Sequence, residues 1–338
     1  MCDARHRPAG RRPGRLLLFV LLAAAALTSE LPAQSTLLFL ELQGVVAYSS
    51  AARGVQLYSL LADDVMQKPS LGFDLVHKLS GRTRDYGTLA VQARLAYDEN
   101  RSGRVEFQLY NAYLKMKAGF ADIWVGHNRP AWGLSTILDN HGLLLPALAM
   151  LGFGFDRDWG FGLSKDTLWG SAALALTTGS GMPLHIKGNY LLSGRVSRGD
   201  LLRENVSFGL SAAFGRVLET MGYHLIEDEP VNLGSLALDV SYFWRNMESR
   251  ADVMVGRKAG QNFVALFWRQ SLVALEEGRL RLDFQPVLVK SGPDWTSWLG
   301  AGASYQASRD IALRTMVWRD GQRNDTRLVF QIYYYRNI

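Results

Sequence analysis

Charged and histidine side chains on two short stretches mark where this chain could do chemistry. The first stretch holds Arg129, Asp139 and His141, inside a segment, 127–150, that is too long for a turn. The second holds Arg157, Asp158 and Lys165 just beyond it. Side chains of both signs facing one another can narrow and polarise an aqueous passage, which is how pores select what passes. Left as solvated pairs on a surface, the same residues would contribute little. Catalysis asks for more. A lipid hydrolase would set a serine beside a histidine, with a third group orienting the ring. Asn140-His141, His185, Ser193 and His224 supply the residue types, but none falls in Gly-x-Ser-x-Gly or His-Glu-x-x-His. Gly152, Gly154, Gly160 and Gly162 alternate with aromatic residues. No strand-to-helix turn follows that would make a phosphate cradle of them. Cys2 is the single cysteine, so disulfides, thiolate zinc sites and iron–sulfur clusters are excluded. No cofactor and no metal is expected.

The elements that must position these residues follow a period of two. From 236 to 244 one face carries Leu236, Leu238, Val240, Tyr242 and Trp244, and the other Ala237, Asp239, Ser241 and Phe243. Leu89, Val91, Ala93, Leu95 and Tyr97 alternate with Gln92, Arg94 and Asp98. Leu280, Leu282, Phe284 and Leu288 alternate with Arg279, Arg281, Asp283 and Gln285, and Leu328, Phe330, Ile332 and Tyr334 with Arg327 and Gln331. Strict alternation of this kind is strand. The 338 residues are 48% hydrophobic with 9 Trp, 13 Tyr and 15 Phe, too apolar for a disordered chain. A helical transporter would need runs of about 20 apolar residues, which the body lacks. About sixteen alternating segments of roughly ten residues follow one another, each long enough to cross a bilayer at a tilt. They begin near 37, 70, 84, 104, 119, 151, 168, 183, 203, 236, 250, 260, 278, 295, 309 and 325. A soluble sandwich alternates too, but so many strands without a domain break, with aromatic residues toward the segment ends, fit a membrane barrel better. In lipid such a sheet must close on itself, because nothing there satisfies a free edge.

Two features disturb the pattern. Pro286 removes a ladder donor and calls for a rim or bulge position, and the apolar phase slips by one between Leu109 and Ala112, as a bulge would make it. Connections such as 118–119 and 258–261 are tight, whereas 50–69, 127–150 and 217–234 are expected as long loops. The middle of 127–150, Leu143 to Leu151, is too apolar for an exposed loop and is expected to fold into the lumen.

At the front, Arg11 to Arg15 precede an apolar run from Leu16 to Leu27 and then small residues. This is the order of a secretory signal peptide, and twelve apolar residues are too few for a membrane anchor. Residues 1–34 are therefore expected to be cleaved, leaving 35–338 as the barrel. Residues 1–33 carry five arginines against two acids, half of the net charge of +6, so no nucleic-acid partner is expected.

From Tyr110 to Gly181 the chain resembles the phosphate-selective porin O and P family. The stretch Asn111-Ala-Tyr-Leu-Lys-Met-Lys117, then Asp122-Ile-Trp-Val-Gly126, looks like that family's paired strands before an inward-folded loop. Gly126-His-Asn-Arg129-Pro130-Ala-Trp132-Gly133 is similar to its Gly-Arg-x-Lys-x-Pro-aromatic-Gly turn, with His127 where arginine is usual and Pro130 displaced by one. Gly154-Phe-Asp156-Arg157-Asp158-Trp-Gly160 and Thr177-Thr-Gly179-Ser-Gly181 follow in the family's order. The match covers about a fifth of the chain. It implies a sixteen-stranded channel and carries no phosphate selectivity, since the expected lysine and arginine ladders are not evident.

The expectation is thus an all-β protein: a transmembrane antiparallel β-barrel of about sixteen strands with a long inward-folding loop. It would sit in the outer membrane of a Gram-negative-type envelope, in contact with outer-membrane lipid and as a homotrimer. Small hydrophilic solutes or anions would diffuse through it. Arg129, Asp139, His141, Arg157, Asp158 and Lys165 are the constriction candidates, and Arg94, Lys115, Arg279, Arg281 and Arg314 the lumen-lining ones. The excess of cations over Asp98 and Asp283 on these faces suggests a mild anion preference. A non-conducting scaffold for a partner and an outer-membrane lipid hydrolase are the alternatives.

Overall fold

The computed structural model describes residues 36–58, 67–81, 84–99, 104–138, 144–199 and 204–338. Asp139 and His141 lie outside the described residues. β1 (Thr36–Ser49) carries a short arm, β2 (Gly54–Gln56), and leads to β3 (Ser70–Ser80), β4 (Asp85–Tyr97) and β5 (Val105–Lys117). β6 (Asp122–Asn128) and β7 (Asp158–Thr167) flank the longest connection. Then come β8 (Gly170–Thr177), β9 (Tyr190–Arg198), β10 (Val206–Met221), β11 (His224–Trp244), β12 (Met247–Lys258) and β13 (Gln261–Ala274). The chain finishes with β14 (Leu280–Ser291), β15 (Asp294–Gln306), β16 (Ile311–Asp320) and β17 (Asp325–Asn337). Every strand pairs antiparallel with its neighbours, the arm with β1 alone, and β17 closes onto β1 from Phe39 opposite Asn337 to Ser49 opposite Arg327. Leaving out β2, sixteen strands form a closed barrel.

The alternation has the sense a membrane demands. Leu236, Leu238, Leu282, Phe284, Leu288, Phe330 and Ile332 point outward, each at least 40% exposed. Ala237, Asp239, Gln285 and Gln331, between them in sequence, are buried inside. Such an exterior would be a liability in water and is what hydrocarbon requires. Closure removes the edges that lipid could not satisfy.

Three details correct or sharpen the expectations. Residues 217–234 are no loop: β10 and β11 continue through them and turn at Gly222-Tyr223. β11 has 21 residues, and the part beyond the span carries acids and a proline that look like loop. Register shifts on either side of Glu219 bend this extended hairpin. Second, β7 begins at Asp158 rather than near 151, so the inward segment, described at 129–138 and 144–157, reaches further than 150. Third, Pro286 sits mid-strand, not at a rim. The β13–β14 ladder stops after Phe267 opposite Val287 and resumes at Gln270 opposite Phe284, so the missing donor is absorbed as a gap. The phase slip in β5 is the expected bulge, with Gln92 opposite Asn111 and Ala93 opposite Leu109.

Candidate functional site inside the barrel

The chain turns into the lumen after β6. Gly126 has a φ of +123°, and a Cβ there would lie 2.2 Å from the Ala112 carbonyl oxygen, so only glycine fits. The described residues 129–138 and 144–157 lie against the opposite wall. Leu134, Leu138, Leu144, Leu145, Leu148 and Met150 are buried in one cluster with Ala237, Met254, Phe267, Val287, Met316 and Trp318 of β11 to β16. Burying each large apolar side chain favours this by roughly 1.5–3 kcal/mol. Polar anchors fix the register. The Gly133 amide donates to Ser211 Oγ and the Leu134 amide to Asp252 Oδ2, each at 3.0 Å. Arg269 Nη2 donates to the Leu145 carbonyl at 2.9 Å, and Gln285 Nε2 to the Pro146 carbonyl at 2.7 Å.

The facing wall, β1, β4 and β5, is polar. Lys68, from the connection after β2, is buried and donates to Asp98 Oδ2 and Glu106 Oε2, each at 2.9 Å. Arg94 Nε donates to Gln108 Oε1 at 2.7 Å, and its Nη1 lies 3.8 Å from Glu41 Oε1. Gln92 donates to Glu41 at 3.3 Å and accepts from Asn111 at 2.8 Å. Arg157 Nε donates to Asn111 Oδ1 at 2.8 Å, with its guanidinium 4.3 Å from the centre of the Tyr110 ring. Asp156 joins the two, 3.1 Å from Arg157 Nη1 and accepting from the Tyr110 hydroxyl at 2.8 Å. Buried charge is tolerated only in satisfied networks of this kind. The tip of the β10–β11 hairpin reaches this wall, placing His224 Nε2 3.9 Å from Glu106 Oε1. At its turn, burial pushes the Tyr223 phenol above its ordinary value; Glu106 and Asp156 add to the rise, and Arg94 and Arg157 oppose it.

The expected site residues part company here. Arg157 is a strut of the charged wall, and Arg129 is half-buried where the inward segment begins. Asp158 is buried, but not as a pore charge. It accepts from the Thr178 hydroxyl at 2.8 Å and from the backbone amides of Gly179 at 2.7 Å and Gly181 at 3.1 Å, holding that turn in shape. Lys165 is exposed and on the wrong face: it lies seven residues from Asp158 on one strand, and an odd separation in a period of two points outward. Arg94 faces inward as expected. Lys115 does too, nearer the rim of tight turns, paired with Asp122 at 2.7 Å. Arg281 pairs with Glu248 at 3.1 Å and Asp283 at 2.9 Å, and Arg314 lies 4.5 Å from the centre of the Tyr333 ring. Arg279 is off the wall altogether, exposed in the turn before β14 beside Glu277 at 3.1 Å.

Glu41, Lys68, Glu106, Arg195 and Arg269 were not anticipated. For Glu41 and Arg269 the signal was present: each alternates with outward apolar neighbours, Leu40 and Leu42, or Trp268. Among the described residues the buried acids are Glu41, Asp98, Glu106, Asp156, Asp158, Asp239, Glu248, Asp252, Asp320 and Asp325, against Lys68, Arg94, Arg157, Arg195, Arg269 and Arg327. Half-buried Lys115, Arg281 and Arg314 face the lumen beside them. Asp98, Glu106 and His224 bring three potential metal-ligand atoms within 4.8 Å of one another. The Lys68 ammonium already bridges the two carboxylates, so the set is built as an ion pair rather than a metal centre.

No family model matches the chain, and no curated protein matches it in sequence. Solved structures do match in shape. A loop-deletion mutant of OmpT, an outer membrane protein of Vibrio cholerae, is 9% identical with a TM-score of 0.64, covering 90% of this chain and 100% of that one. An anion-selective porin from Comamonas acidovorans is 11% identical with a TM-score of 0.64, at the same coverage. OmpF of Salmonella typhi, in complex with daunomycin, is 13% identical with a TM-score of 0.61, covering 89% and 97%. The chain thus has the fold of the outer-membrane porins.

Proposed function

We propose that this chain is an outer-membrane porin, a passive diffusion channel for small hydrophilic solutes narrowed by the segment 129–157. The observation that carries this reading is that segment, anchored across the lumen of a sixteen-stranded barrel by Asp252, Arg269 and Gln285. A barrel of this size is wide enough for water, and an inward segment sets how much remains. The reading includes a cleaved signal at 1–34, surrounding outer-membrane lipid, and a homotrimer, the form in which one OmpT structure is described. It includes a weak anion preference, carried by inward Arg94, Lys115, Arg281 and Arg314, and no phosphate selectivity. It is not an enzyme reading: Ser193 is buried on the inner face of β9, whereas a lipid hydrolase needs its serine at the lipid boundary.

A second reading is a non-conducting barrel, favoured by the near-complete burial of Glu41, Lys68, Arg94 and Arg157, none above 3% exposed. Single-channel recording of the refolded chain in a planar bilayer separates the two. Discrete steps that grow when the segment is loosened by Leu145→Ala support the channel. Silence from both proteins removes it and leaves the barrel as a scaffold.

A further inference from the structure

On the outside of the barrel, β10, β12, β14 and β16 all run toward the rim from which the β10–β11 hairpin rises. Each ends there in an exposed cation on its outward face: Arg216, Arg257, Lys290 and Arg319. Across the ladder they face neutral residues, Asn232, Asn262, Trp295 and Thr326 in turn. At the other end of the same strands the outward residues are apolar: Val206, Met247, Leu280 and Ile311. The first three stand ten positions before their cations and the last eight. Ten residues at about 3.3 Å each, tilted by roughly 45°, climb about 23 Å, close to the ~25 Å apolar band of such barrels. The row therefore lies at one boundary of the hydrocarbon, level with the polar heads of a single leaflet.

These charges are held without being cancelled. Arg257 Nε donates to the Gly260 carbonyl at 2.9 Å and Arg319 Nη1 to the Thr326 hydroxyl at 3.0 Å, while Lys290 Nζ lies 5.8 Å from the centre of the exposed Trp295 ring. Among the described residues no carboxylate pairs with any of the four. Glu219 and Asp228, on the hairpin beyond Arg216, are bridged by Lys258 and Lys187 instead. Asp294, Asp320 and Asp325 take the inward parity of their strands.

We propose that this row binds the phosphate groups of anionic lipids in that leaflet. Guanidinium and ammonium groups form charge-assisted hydrogen bonds with phosphate oxygens. Two positions below the cations, Phe214, Val255, Leu288 and Val317 are exposed and give the acyl chains an apolar wall to lie against. Neighbouring cations are two strands apart, about 10 Å, so they converge on no single small anion. They suit a file of lipid heads, one to each cation. The proposal needs the barrel in its membrane and is independent of conduction.

The test uses the full chain refolded in phosphatidylcholine vesicles, with spin-labelled phosphatidylglycerol or spin-labelled phosphatidylcholine as probe. Electron spin resonance reads the fraction of each probe immobilised on the barrel wall. The expected result is a roughly twofold or greater preference for phosphatidylglycerol that high salt weakens. Arg216→Gln, Arg257→Gln, Lys290→Gln and Arg319→Gln together abolish it, whereas lysine in place of the three arginines keeps it. Lys165→Gln with Arg198→Gln, which removes outward cations of β7 and β9 at the opposite rim, leaves it in place. Resistance of the barrel to SDS at room temperature checks the folding of each variant. Equal immobilisation of the two probes by the parent overturns the proposal. So does an equal fall in the Lys165 and Arg198 variant, or displacement of phosphatidylglycerol by inorganic phosphate at constant ionic strength.

Discussion

Inside one barrel, two walls reach similar burial by opposite means. Along β1, β4 and β5 the inward side chains are Glu41, Gln92, Arg94, Glu106 and Gln108, held by charge pairs and amide bonds. Along β11 to β16, Ala237, Met254, Phe267, Val287 and Met316 are covered by the leucines of the inward segment, with Asp252, Arg269 and Gln285 set among them as polar anchors. The apolar wall is non-directional: any greasy segment could cover it, and the few polar anchors decide which one and in what register. The charged wall is directional, since each member is tolerated only while its partners stay. Loss of one atom group should therefore cost most on the charged side, whereas the apolar side should yield in proportion to volume removed.

The largest effect is expected at Lys68. Changing it to Met removes the ammonium that bridges Asp98 and Glu106 and leaves two carboxylates buried together. Breaking a buried pair from one side costs about 3–5 kcal/mol, to be read as a fall in urea stability of the refolded barrel. Adding Glu106→Gln to Lys68→Met should recover part of that loss. A single mutant as stable as the parent would mean that this wall is far wetter than its burial indicates.

On the apolar side, Leu145→Ala should cost about 2–5 kcal/mol, by lost transfer energy plus the cavity left behind. Leu145 is buried and packs on Gly300, where a Cβ would lie only 2.5 Å from Leu145 Cδ2. The signature is faster hydrogen exchange at amides 144–151, with the charged wall unaffected. Equal acceleration on both walls would show the two halves to be one cooperative unit. A smaller change is expected from Gln285→Leu, which strips a donor from the Pro146 carbonyl and an acceptor from Arg269 Nε. Groups left unsatisfied in this way cost about 1–3 kcal/mol, so it should loosen the same amides less than Leu145→Ala does.

The two walls also differed in how far they could be read from the chain alone. Strand positions were legible because alternation repeats locally, and outward Leu282, Phe284 and Leu288 show it with no knowledge of partners. The inward segment was legible because 144–151, the described part of that apolar run, is too apolar for water. The charged wall was not, since Lys68 meets residues 30 and 38 positions away and Arg157 meets one 46 away. Asp158 misled for a related reason: its partners are mostly backbone amides of 179–181, which no side-chain pattern reveals. Lys165 failed on parity alone, and a count from Asp158 would have turned it outward. The extension 217–234 was misread because a strand standing in water is as polar as a loop.

That extension is where the two walls meet, and it offers the finest test. The β10–β11 hairpin rises from the apolar side and sets Tyr223 and His224 against the charged wall. The Tyr223 hydroxyl is buried with no hydrogen-bond partner among the described residues, so ionising it there is unfavourable. With its folded value raised, docking is at full strength below the ordinary phenol value near 10. Above that, the undocked hairpin gives up its proton first, and docking weakens by up to about 1.4 kcal/mol per pH unit until the folded value is passed. A difference titration at 295 nm between the parent and Tyr223→Phe should show this phenol ionising after the exposed tyrosines. If it ionises with them, the hairpin stands free in solution, and the charged wall loses its lid and with it much of the reason for its burial.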